Sequence, residues 1–213
     1  MAKIKTLLFC GGEIHDGIAC GSVIQRHLEE TGEFDITRVE NDLSVFERPD
    51  LNRYDLVVFY YTVGEISNAQ KDGLLNFVAS GKGFAGAHSA ADSFRDSPDY
   101  RAMLGGFFVT HPRFRQYQVS VVDPQHPITE GIEEFFVEDE MYVTDYDPRV
   151  NVLCTSLWKG RAIPVAWTKT WGKGRVFYLA LGHNPQACEH EMFKILFQRG
   201  ARWAATPAKE GEG

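Results

Sequence analysis

The sequence lacks the marks of membrane, nucleic-acid-binding and disulfide-stabilised proteins. Its longest apolar runs, such as Leu56 to Tyr61, are far shorter than the roughly 20 residues a bilayer span needs. Lys and Arg number 22 against 29 Asp and Glu, a net charge of −7, and they are scattered rather than clustered. That balance argues against nucleic acid or an anionic membrane as a partner. The four cysteines (Cys10, Cys20, Cys154, Cys188) contain no CxxC pair and read as buried reduced thiols. No HxH or HExxH spacing occurs, so a metal would have to draw its ligands from separate loops. The segment Met1 to Lys5 runs into strand-like residues without an apolar signal region, and a cytoplasmic location is expected. No nucleotide cofactor is expected. Of the 213 residues, 44% are hydrophobic, enough for one unstapled domain over 1–206 with a polar tail at 207–213.

What is present alternates. Lys3 to Cys10, Phe34 to Val39, Asp55 to Tyr61 and Gly83 to Ala87 read as strands, the last two continuously apolar, as strands covered on both faces must be. Helical spacing falls between them, at Ile18 to Glu30 and after Ser67-Asn68-Ala69-Gln70, a capping box whose helix stops at Gly81. Strands alternating with helices predict a parallel α/β sheet. After a short helix from Ser97-Pro98 to Gly105-Gly106, the pattern becomes two-residue alternation at Gln116 to Val122. Glu134 to Val143 is mixed. Val150 to Ser156 is strand-like, and Ile163 to Thr168 with Arg175 to Leu181 frames a hairpin. A last helix is predicted over Glu189 to Ala204. The fold expected is an open, mostly parallel sheet flanked by helices, with an antiparallel insertion at its edge.

Ligands of open α/β sheets bind outside the carboxyl ends of the strands. His15, His88 and His183 fall just after predicted strands and His111 after the short strand-like segment Phe107 to Thr110, whereas His27, His126 and His190 read as structural. His88 and His183 follow small residues that let the backbone turn sharply. The stretch Glu138-Asp139-Glu140 is either a solvated acidic turn or supplies an inward base or metal ligand, Glu140 first. Asp16 and Asp92 follow rim histidines and are candidates to orient them. Phe94, Phe114, Tyr117 and Tyr142 read either as core or as a platform for a sugar ring.

The stretches GKGFAGAHSAADSF (Gly81 to Phe94), VTHPRF (Val109 to Phe114), VVDPQHPIT (Val121 to Thr129), DEMY (Asp139 to Tyr142), PVAWT (Pro164 to Thr168) and GKGRVFYLALGHNP (Gly172 to Pro185) resemble the ThuA-like, trehalose-utilisation family. The resemblance implies a flavodoxin-like, class I glutamine-amidotransferase-like sheet. It places His88 where amidotransferases carry their nucleophilic cysteine and His183 where they carry the catalytic histidine. With no cysteine at that turn, no thioester forms and glutaminase activity is not expected. The resemblance further implies trehalose or related disaccharide use, beside a pathway oxidoreductase that makes 3-keto-glycosides.

The first reading is therefore an enzyme on a keto-sugar or 3-keto-glycoside. His88, His183 and Glu140 are its catalytic candidates, and His15, His111, Asp92, Phe114 and Tyr142 its substrate-binding candidates. A divalent metal, zinc first, would draw on His15, His88, His111, His183 and Glu140. The second reading is a non-catalytic sugar-binding or accessory protein. A third and weaker one is hydrolysis by Ser89. Whether the chain forms a homo-oligomer is left open.

Overall fold

The computed structural model describes residues 2–207, so the tail residues 208–213 lie outside it. The apolar runs become the centre of a sheet. Strands β1 (Ile4–Cys10), β2 (Phe34–Glu40), β3 (Leu56–Tyr60) and β4 (Gly83–Ala87) are joined through helices α1 (Gly17–Glu30) and α2 (Asn68–Ala79). The Ser67–Gln70 box makes both of its reciprocal bonds at the start of α2. Helix α3 (Pro98–Leu104) leads to β5 (Gly106–Thr110), β6 (Arg115–Val121), β7 (Phe135–Asp139), β8 (Val143–Tyr146), β9 (Asn151–Trp158), β10 (Arg161–Trp171) and β11 (Gly174–Leu179). The expected last helix is α5 (Glu191–Ala205), and a short helix α4 (Pro185–Cys188) precedes it. His190 divides them, its Nδ1 accepting from the Met192 amide as the cap of α5.

One nine-stranded sheet runs in the order β2-β1-β3-β4-β11-β10-β9-β6-β7, with β5 and β8 paired separately. The first five strands are parallel and the last four antiparallel. The antiparallel region is thus four of the nine strands, at one edge of the sheet as expected. Alternating side chains of β1 and β3 divide the core in two. Leu8, Cys10, Val58 and Tyr60 face α1 and α5, whereas Leu7, Phe9, Val57 and Phe59 face α2 and α3.

Within the antiparallel half the ladder narrows. Strands β6 and β9 pair over only two residues, Ser120 with Thr155 and Val121 with Cys154. Beyond that seam Tyr117, Val119, Val137 and Met141 join the cluster that also holds Leu179, Phe193 and Phe197. The far strands therefore curl over one face, and the end of β7 comes back to the end of β11. This curl brings a carboxylate to the histidines.

Candidate active site

Each histidine is delivered by a turn at the carboxyl edge. His15 lies between β1 and α1, and its Nδ1 is 2.8 Å from Thr62 Oγ1, just past β3. His88 ends β4 with φ +38°, a conformation a non-glycine residue adopts only when its surroundings impose it. Its Nδ1 lies 2.8 Å from the Ala180 carbonyl, which can only accept, so Nδ1 carries the proton and Nε2 is free. The Tyr178 hydroxyl donates to the His88 carbonyl at 2.8 Å, fixing the turn from beneath. His183 follows Gly182, whose φ of +100° makes the chain reverse after β11. The Tyr60 hydroxyl donates to the Gly182 carbonyl at 2.8 Å.

Glu140, at the end of β7, joins these groups. Its Oε2 lies 3.1 Å from His183 Nδ1, 3.5 Å from His88 Nε2 and 3.9 Å from His15 Nε2. Its Oε1 lies 3.0 Å from His111 Nδ1, on the turn between β5 and β6. The ligand atoms of His15, His88, Glu140 and His183 all fall within 4.8 Å of one another. His111 stands outside that set, on the other carboxylate oxygen, and its side chain is 42% exposed against 0% for His88 and 30% for His183.

Burial raises the Glu140 carboxyl, but its contacts with His15, His183 and His88 outweigh this and hold it well below the usual carboxylate range. Burial lowers His15, against the pull of Glu140. Contact with Glu140 raises His183, against burial. Buried His88 Nε2 and His183 Nδ1 nevertheless have no hydrogen-bond partner. A buried ring nitrogen with an unmatched lone pair carries an unpaid desolvation cost. Three imidazoles and an ionised carboxylate aimed at one point are a donor set suited to a divalent cation. Bonds of about 2.0–2.2 Å place two ligand atoms at most about 4 Å apart, so small rotations of these side chains would accommodate one.

The structure gives other candidates different work. Asp16 caps α1 by accepting from the Ala19 amide, and Asp92 holds Arg95 in a two-pronged pair at 2.8 and 2.7 Å, so neither orients a histidine. Phe94 and Tyr117 are core residues rather than a platform. Tyr142 lies under the site, its ring centroid 3.9 Å from that of His88. Phe114 alone of the four aromatics is open to solvent, 5.8 Å from the His183 ring. Ser89 is buried and its hydroxyl has no hydrogen-bond partner, so no base activates it. His27 bonds the Cys188 carbonyl and His126 accepts from the Ile128 amide, both structural.

Asp139 is the residue that sequence reasoning ranked behind Glu140 and gave no role of its own. Its carboxylate accepts from the amides of Gly182 (2.6 Å), His183 (3.1 Å) and Glu140 (2.7 Å). The two-residue alternation of β7, with Val137 and Asp139 inward and Phe136 and Glu138 outward, was the signal that separates Asp139 from its neighbours.

Comparison with solved structures finds the same fold. A ThuA-like protein from Parabacteroides merdae superposes with a TM-score of 0.87 at 24% identity, over 96% of this chain and 90% of that one. A ThuA-like protein from Bacteroides uniformis gives 0.81 at 19% identity, over 99% and 95%. A β-galactosidase from Rahnella sp. R3 gives 0.66 at 15% identity, over 96% of this chain but 31% of that enzyme. No curated protein matches the chain. The model of the ThuA family, described as trehalose utilisation, matches residues 5–204, and the chain therefore belongs to that family of sugar-utilisation proteins.

Proposed function

We propose that the chain is a cytoplasmic enzyme of sugar utilisation that acts on a keto-sugar or 3-keto-glycoside at the cluster of His15, His88, Glu140 and His183. The observation supporting this is the convergence of four ligand atoms, two of which, His88 Nε2 and His183 Nδ1, are buried without a hydrogen-bond partner. The same four residues would hold a divalent cation, zinc first, which would stabilise negative charge developing on a substrate oxygen.

A ketone at C3 acidifies the hydrogen on C2. A base takes that proton, the C–H electrons form the C2–C3 double bond, and the C3 oxygen becomes an enolate. The enolate electrons can then return to expel the C1 glycosidic oxygen, which leaves with its bonding pair and takes up a proton. Reprotonation on carbon would isomerise the sugar instead. Both routes need proton transfer and charge stabilisation in one enclosed place. The covered ring of His88 contributes fixed polarity, whereas His183 is open enough to reach substrate. His111 and Phe114 are the outermost residues and bind the sugar in this reading. An oxidoreductase that introduces the ketone would supply the substrate.

The deciding experiment incubates the protein with 3-keto-glycosides and with unoxidised disaccharides, with and without zinc, and follows products by NMR. Turnover of the keto-glycosides alone, lost in Glu140→Gln, is expected. Binding without turnover under every condition would overturn the proposal in favour of an accessory sugar-binding module. Embedding of this fold as under a third of a β-galactosidase chain is the observation that favours that second reading.

A further inference from the structure

Glu140 and His183 approach from opposite halves of the sheet, and nothing in the strand ladder holds them together. In the strand order, β10, β9 and β6 separate β7 from β11. The seam where the sheet curls is only two residue pairs long. What bridges the two ends is the Asp139 carboxylate. It is 1% exposed and its partners are the backbone amides of Gly182, His183 and Glu140. Oδ1 serves His183 and Glu140 together, so one atom fixes the backbone of both site residues.

From this geometry we infer that Asp139 is a positioning residue of the cation site, setting the His183 turn against Glu140 so that Nδ1 and Oε2 stay 3.1 Å apart. The inference rests on the cation-binding reading above. The Tyr60 hydroxyl meets the same turn from the Gly182 carbonyl side, so the turn is gripped by an acceptor at its amides and a donor at its carbonyl. An asparagine would keep the shape but lose the charge and one acceptor oxygen, leaving at least one buried amide unpaired. Groups that orient metal ligands typically contribute about 10–100-fold in metal affinity.

The test titrates zinc against a competing chelator into wild type, Asp139→Asn, Glu140→Gln and Asp147→Asn. Amide hydrogen exchange is followed in the metal-free forms. Every measurement is confined to protein with the wild-type circular dichroism spectrum; if Asp139→Asn fails that criterion, Asp139→Glu replaces it. Wild type and Asp147→Asn should bind one equivalent alike, Glu140→Gln should bind none, and Asp139→Asn should bind roughly 10–100-fold more weakly. Exchange at Gly182 and His183 should accelerate in Asp139→Asn relative to the rest of the sheet. Wild-type zinc affinity in folded Asp139→Asn would overturn the inference. Failure of wild type to bind zinc would instead remove the cation reading; unchanged exchange at the two amides would then dispose of the clamp as well.

Discussion

Replacing Gly182 by alanine tests whether the turn that presents His183 is built as described. Two costs act at this position. The backbone has φ +100°, and forcing an L-residue into such a conformation costs about 1–3 kcal/mol. A Cβ would also stand 2.6 Å from Cε2 of Phe193 and 3.0 Å from Sγ of Cys188. Both neighbours are fully buried and cannot swing into solvent, so overpacking adds about 1–3 kcal/mol. The sum of about 2–6 kcal/mol corresponds to a fall in Tm of roughly 4–24 °C for a domain of this size. Gly131→Ala provides the control, because its φ is +72° but no atom lies within 4 Å of a Cβ. It should carry the backbone cost alone, about 1–3 kcal/mol. Differential scanning calorimetry of the metal-free variants measures both. A Gly182→Ala protein melting no lower than Gly131→Ala would refute the packing behind this turn.

Glu140→Gln should remain folded yet lose zinc binding and turnover together, since it removes the one anion among the cluster; retained zinc affinity in a chelator competition would contradict the ligand assignment. Zinc affinity should fall with pH, because protonated imidazoles do not ligate. His183, raised by Glu140, takes its proton first as pH drops, and His15, lowered by burial, takes its proton later. Titrations at pH 8, 7 and 6 should therefore show weakening well before acid unfolding, and a flat profile would count against imidazole ligation. All four cysteines are free and buried, and burial pushes the Cys154 thiol up to about 12. Native protein should react negligibly with a thiol reagent and denatured protein should yield four equivalents; rapid native labelling that zinc or substrate suppresses would show a reactive thiol near the site.

The parallel half was legible because its signals are local. Leu56 to Tyr60 is buried throughout, as a continuously apolar run implies, and the box at Ser67 and Gln70 announces its helix within four residues. The histidines were findable for the same reason, each following a strand that the pattern delimits. The antiparallel half was less so. Glu134 to Val143 read as mixed because β7 ends at Asp139 and the chain then leaves the large sheet, β8 of the other sheet beginning only at Val143, with Tyr142 packed against His88 in between. No local pattern reports a curl whose cause is a seam two pairs long. The roles of Asp16, Asp92 and Asp139 depend on which amide or guanidinium lies opposite, and only for Asp16 is that partner fixed by sequence proximity to a helix start.

The distribution of the cluster along the chain bears on how the protein is made. His15, His88, Glu140 and His183 come from four well-separated stretches, and the clamp on the last of them needs both β7 and the turn after β11. During synthesis the first two histidines leave the ribosome long before the carboxylate, and the imidazole of His183 comes last of the four. Any cation that binds only the assembled quartet would stabilise the finished domain and leave its precursors unaided. A nascent or truncated chain lacking α4 and α5 would also leave Leu179 and the Tyr117–Val137 face uncovered. Completion of the core and completion of the cluster thus become a single event, and cation occupancy would report that this domain has assembled.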